Sequence, residues 1–73
     1  MNLRGVVVDF DERRGDGIVE SDEGEHLYFH CVEIADGTRV ISMGARVRAR
    51  RGVGRLGHDE ARHLVADIDD ANR

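Results

Sequence analysis

The sequence predicts an all-β protein in which five short strands form a closed, or nearly closed, antiparallel barrel. Three observations carry that expectation. Short apolar runs recur along the chain with turn residues between them. Glycine is abundant, at 9 residues, and proline is absent, which suits tight turns between strands. In Glu25-His26-Leu27-Tyr28-Phe29-His30 the apolar and polar positions alternate at period two, the mark of a half-buried strand. A chain of 73 residues holds one small domain with a modest core, and barrel closure removes most exposed strand edges.

Taken in order, Val6 to Phe10 is a β-branched run and reads as the first strand. Its inward face is ambiguous, because Val6, Val7 and Val8 are all apolar. Asp11 to Gly15 makes a polar turn. Gly17 to Glu20 is a short second strand, with Val19 inward and Asp16 and Ile18 on the outer face. Ser21-Asp22-Glu23-Gly24 is a second turn, rich in side chains that bond the backbone. The third strand, His26 to His30, sends Leu27 and Phe29 inward and His26, Tyr28 and His30 outward. Rings on a wet face gain nothing from the core, so they are candidates for ligand contact.

Between Cys31 and Gly44 lies a longer connection. Val32-Glu33-Ile34 suits one helical turn that drops Ile34 onto the barrel; Asp36-Gly37 signals a turn; Ile41 is a second anchor. Arg46 to Arg50 alternates cleanly and gives a fourth strand, with Val47 and Ala49 inward. Gly52 to Gly57 reads as a mobile loop. In Ala61 to Ile68 the alternation of Leu64, Ala66 and Ile68 supports a fifth strand. Helix is the rival reading, since Asp59 to Ala66 has fair helix propensity and an acidic start. The domain is expected to span residues 1–68, with residues 69–73 as a polar tail.

Charge narrows the function. The net charge of −4 does not suggest a non-specific DNA binder, but the basic residues are unevenly placed. All 11 are arginine, and five of them (Arg46, Arg48, Arg50, Arg51 and Arg55) lie between Gly44 and Gly57 with no acid among them. Local positive charge of this kind is compatible with single-strand binding. The chain has no apolar run long enough to span a bilayer and no signal-peptide pattern, so a cytoplasmic monomer without membrane contact is expected. Cys31 is the single cysteine and cannot form an internal disulfide. His26 and His30 share a strand face but Cys31 points away, and no two-cysteine spacing supports zinc. No nucleophile with an ordered base and acid can be assembled, and no cofactor motif is present, so neither an enzyme nor a cofactor is expected. Gly15 and Gly17 serve turn geometry and do not form a P-loop, since no Gly-Lys-Ser/Thr follows.

Three segments, Gly5-Val6-Val7-Val8-Asp9-Phe10, Arg14-Gly15-Asp16-Gly17-Ile18-Val19 and Leu27-Tyr28-Phe29-His30, together resemble the cold-shock domain family. That family opens with a glycine, a valine and an aromatic pair. It continues through a Lys-Gly-Phe-Gly-Phe-Ile ribonucleoprotein motif and then a Val-Phe-Val-His motif. Ile34, Asp36-Gly37 and Met43-Gly44-Ala45-Arg46-Val47 keep the family's spacing, so the resemblance runs from Gly5 to about Ile68. It implies a five-stranded OB-type barrel, with Val7 inward, Val8 outward and a strand rather than a helix at its end.

The resemblance also implies single-stranded RNA or DNA as partner, bound by rings that stack on bases and cations that follow phosphates. Carried over by position, the rings are partly kept. Phe10, Tyr28 and His30 stand at stacking positions. Asp9 stands at the tryptophan position, Asp16 and Ile18 replace the two motif phenylalanines, Cys31 replaces the aromatic after the histidine, and Thr38 lies near another ring position. The expected nucleic-acid-binding set is Phe10, Arg14, Ile18, Tyr28, His30, Arg39 and Arg55. The Arg46-Arg48-Arg50 stripe has a solvated strand face as its plain reading and phosphate contact as the other.

Two lost stacking bases remove about 2–6 kcal/mol, or two to four decades of affinity, and Asp9 and Asp16 add like-charge repulsion. The expectation is therefore a weak single-strand binder acting as an RNA chaperone or gene-expression regulator. The alternative is the same barrel repurposed to bind a protein.

Overall fold

In a computed structural model, residues 2–54 and 57–67 are described. Five strands follow the apolar runs: β1 (Asn2–Asp11), β2 (Asp16–Ser21), β3 (His26–His30), β4 (Arg46–Val53) and β5 (Asp59–Ala66). One 3-10 turn, Cys31–Glu33, follows β3. The strands close into a barrel in the order β1-β2-β3-β5-β4, an all-β, five-stranded barrel of OB type. Among the described residues no helix is long and apolar enough to cross a membrane.

One junction departs from the expected antiparallel pairing. β3 and β5 run parallel, with Tyr28 opposite Glu60, and a parallel bridge joins Ile34 to Leu64. The reason is one of parity. In a ring of five strands, directions cannot alternate at every junction, so one pair must share a direction. The connection after β3 makes this possible by carrying the chain across to β4, beside β1. The 3-10 turn drops Ile34 onto the core, 5% exposed, and Ala35 N–H donates to the Leu64 carbonyl at 2.8 Å. Ile41 packs half-buried against the same core.

The interior is filled by the inward side of each strand. Val7, Val19, Leu27, Phe29, Val47 and Leu64 are fully buried, and Val7, Val19 and Leu27 form one row across β1, β2 and β3. Below that row β1 carries a bulge: the register steps from Val7 opposite Val19 to Asp9 opposite Ile18. Val8 is the extra residue and is 40% exposed, so Val7 faces in and Val8 out.

Two stretches differ from their sequence reading. β4 runs through Gly52 and Val53, which pair with Glu60 and Asp59, so the predicted loop 52–57 begins as strand. Arg51 fixes this end through ion pairs to Glu25 and Asp59. In β5 the buried residues are Ala61 and Leu64, while Ala66 is exposed. His63, whose left-handed backbone (φ 53) inserts a bulge, sets the three-residue step from Ala61 to Leu64; beyond it Ala66 lies opposite inward Val47 and is exposed at the end of the strand. Ile68 and the 69–73 tail lie outside the described residues.

β1 and β2 approach closely because Gly17 has no side chain. A Cβ there would collide with the Asp9 carbonyl oxygen and the Phe29 ring. Gly17→Ala is expected to cost about 1–3 kcal/mol or more by overpacking a wall that is partly backbone. A urea midpoint close to that of the unaltered chain would contradict this packing.

Candidate nucleic-acid interface

The first turn sets the geometry of the outer face. Asp11 Oδ1 accepts from Arg13 N–H at 2.9 Å and Arg14 N–H at 3.2 Å, and Gly15 N–H donates to the Asp11 carbonyl at 2.7 Å. Gly15 takes a left-handed conformation (φ 73), and a Cβ there would crowd Cys31 Sγ. This tight turn delivers Arg14 directly beside Asp16 at the start of β2.

Asp16 is the hub. Arg14 donates to Oδ1 from Nη2 at 2.9 Å and from Nε at 3.1 Å. The Tyr28 hydroxyl donates to Oδ2 at 2.8 Å. The Asp16 side chain is 13% exposed and that of Arg14 65%. The Arg14 guanidinium, then the Tyr28 hydroxyl, hold the Asp16 carboxyl below its ordinary range, with His30 adding a smaller attraction. The same hydrogen bond pushes the Tyr28 phenol up, because losing its proton would set two negative charges together. Asp16 therefore acts differently from the sequence reading: its charge is compensated, and it positions Tyr28.

Tyr28 and His30 share the outer face of β3. Their rings meet edge to face, with centroids 5.1 Å apart and an interplanar angle of 86°, a favoured geometry for aromatic pairs. They open onto a groove of about 800 Å3 whose other walls are Val53, Gly54, Glu60 and Arg62. Arg62 donates to the Val53 carbonyl at 3.2 Å and lies 3.5 Å from Glu60 Oε1. Gly52 and Gly54 leave room for this, since a Cβ on either would overlap the Arg62 or Glu60 side chain. Glu60, Arg62 and Val53 were missed by the sequence reading. They reach Tyr28 only through the parallel β3–β5 seam, for which the sequence carries no local signal.

The remaining candidates are dispersed. Phe10 is opposite Gly17, and Gly17 is opposite Phe29, so all three lie on the inward side of the wall. With no side chain at Gly17, the Phe10 ring stacks nearly parallel on buried Phe29, with centroids 6.0 Å apart and a 5° angle. Phe10 thus packs against the core, while Tyr28 and His30 face out. Ile18 sits half-buried between Asp9 and Tyr28 on the outer row. Asp9 is exposed there. Arg39 stands on the 36–40 loop in a left-handed conformation (φ 63), after a turn in which Thr38 bonds Asp36. Among the described residues no hydrogen bond or ion pair joins Arg39 to the Tyr28 face. Arg55 lies outside the described residues, among which no group of three or more His, Cys, Asp or Glu side chains could hold a metal ion.

Compared with known proteins, the chain matches no family model, and no curated protein matches it significantly.

The depressed Asp16 carboxyl carries a stability sign. Its contribution is fully present above the ordinary aspartate range and is lost as pH falls through the lowered folded value. Carboxyl NMR titration should find Asp16 below the ordinary range. Arg14→Gln should raise it most and Tyr28→Phe less, with the acid limb of the stability profile flattened in both. An Asp16 titration unmoved by Arg14→Gln would remove the guanidinium as the cause.

Proposed function

We propose that this chain is a cold-shock-like barrel that binds single-stranded RNA or DNA weakly, through Tyr28 and His30 and the groove beside them, and acts in the cytoplasm as an RNA chaperone or regulator of gene expression. The carrying observation is the edge-to-face ring pair, held by the Asp16–Tyr28 hydrogen bond and opening onto a groove bordered by Arg62. Two rings offer stacking surface for one or two unpaired bases, at roughly 1–3 kcal/mol each. Arg14, mostly exposed although paired, and Arg62 stand near enough to meet the adjoining phosphates. The motif resemblance along β1, β2 and β3 supports the same face, and the inward Phe10 and acidic Asp9 support a low affinity.

A second reading has its own observation. Asp9, Ile18 and Val8 place an acid beside exposed apolar surface on the outer face of β1 and β2. That combination suits a protein surface carrying an apolar contact and a cation, so the barrel would have kept its architecture and changed partner.

Fluorescence titration with a pyrimidine-rich oligonucleotide at low salt separates the two. Under the nucleic-acid reading binding saturates, and Tyr28→Ala weakens it by roughly 5-fold to more than 100-fold. Asp9→Phe strengthens it, by removing a charge and adding a ring to the Asp9–Ile18–Tyr28 row. Absence of saturable binding at high micromolar protein would overturn that reading. Recovery of a stoichiometric protein partner that survives nuclease and is lost in Asp9→Phe would establish the second. Asp16 is unsuitable for this test, since replacing it also releases Tyr28.

A further inference from the structure

A second concavity, of about 540 Å3, lies on the outer faces of β1, β4 and β5, away from the Tyr28 groove. Arg4, Arg48, Arg50 and His63 line it, over apolar edges from Leu3 and Val65. Arg4 and Arg48 are direct cross-strand partners, and Arg50 follows Arg48 on the same face. Opposed residues on neighbouring strands lie about 5 Å apart, and next same-face residues about 7 Å apart. Like charges at such spacing oppose folding. Arg50 is also opposite Arg62 on β5.

The acids do not relieve this crowding. The chain has 15 acids to 11 arginines. Among the described residues, arginine ion pairs include Arg14 with Asp16, Arg46 with Asp22, Arg51 with Glu25 and Asp59, and Arg62 with Glu60. Among the described residues Arg4, Arg48 and Arg50 have no such pair.

His63 is an independent observation at the same place. The β4–β5 register slips between Arg48 and Arg50, so His63 and Leu64 together oppose Ala49. His63 takes the left-handed position (φ 53) that such bulges usually give to glycine. Glu33 of the 3-10 turn holds the bend by accepting from His63 N–H at 3.0 Å. In an unbroken strand beginning with Ala61 inward, His63 would also point inward. The bulge turns its imidazole out among the arginines and sends Leu64 into the core. A non-glycine residue in this conformation costs stability, and such strain concentrates at sites with a task.

We propose that this groove binds a compact polyphosphate group, as found in inorganic polyphosphate or in the tail of a nucleoside polyphosphate. Guanidinium forks match phosphate oxygens in geometry and charge, and the volume falls within the range of small-ligand sites. Three unpaired guanidiniums and an imidazole answer a ligand of several negative charges. A long single strand is a poor fit, because no Phe or Tyr lines the groove for stacking; Asp22 and Glu23 also line it, beside the arginines. The proposal is independent of the nucleic-acid reading of the Tyr28 face.

Amide shift titrations of the full chain test it, with tripolyphosphate, ATP and a pyrimidine oligonucleotide as separate arms. Tripolyphosphate should move the amides of Arg4, Arg48, Arg50 and His63 saturably and leave Tyr28 in place. A response to ATP as well assigns the nucleotide form, and a response to tripolyphosphate alone assigns the inorganic chain. Arg48→Glu with Arg50→Glu should weaken binding at least about tenfold, with the thermal midpoint unchanged or raised by relief of repulsion. His63→Gly should weaken it several-fold, with a midpoint no lower, because glycine removes the backbone strain. No saturable response to tripolyphosphate, stronger movement of the same amides by the oligonucleotide, or either variant binding as well as the unaltered chain would overturn the proposal.

Discussion

A ring of five strands must contain one parallel seam, and much of the outer surface follows from where that seam falls. Here it joins β3 to β5. It sets Glu60 opposite Tyr28 and brings Arg62 and Val53 to the ring pair, so that two side chains on one strand become a groove with four walls. The Ile34–Leu64 bridge continues the seam beyond β3 and anchors the long connection to the core. Ile34 is the buried anchor of the chain leaving β3, and Ile41 and Ala45 pack half-buried against the core further along its way to β4.

Glycines decide what packs where along the β1–β2–β3 wall. Gly17 is the clearest case. Its missing side chain permits Phe10 and Phe29 to stack across it, and so commits Phe10 to the end of the core. On the other side of the same wall, Asp16 and Ile18 flank Gly17 and support the Tyr28 face. Pleating thus divides the aromatic residues into two groups with different work: Phe10 and Phe29 hold the barrel, and Tyr28 with His30 present rings to solvent.

Charge is distributed by the same logic. Several arginines stitch strand ends or turns: Arg14 the first turn, Arg46 the end of β2, Arg51 the β2–β3 turn to β4 and β5. These are exposed or half-exposed pairs, individually worth little in stability, and their value lies in placing side chains. Asp16 illustrates this, since its carboxylate fixes Tyr28 through one oxygen and Arg14 through the other. Arg4, Arg48 and Arg50 are a separate population on the opposite wall. There the bulge at His63 adds an imidazole to a cluster of like charges, at a cost in backbone strain.

What the sequence determined by itself is the local part. Period-two alternation marked β3 and β4 and named Leu27, Phe29, Val47 and Ala49 as inward, because a pleated strand leaves no other choice once one residue is buried. Turn chemistry placed the breaks near Gly15 and Gly24, and Ile34 was legible as an anchor. Tertiary structure decided the rest. Bulges at Val8 and His63 are single-residue insertions that alternation cannot reveal, and each reverses which side chains face inward beyond it; that is why Ala61 and Leu64, three residues apart, are both buried. Phe10 looked like an outer ring until its opposite neighbour proved to be Gly17, and Asp16 looked like a bare charge until the turn brought Arg14 to it. Glu60 and Arg62 joined the site through a seam between strands about 30 residues apart, a contact that no local pattern encodes because it exists only when the ring closes.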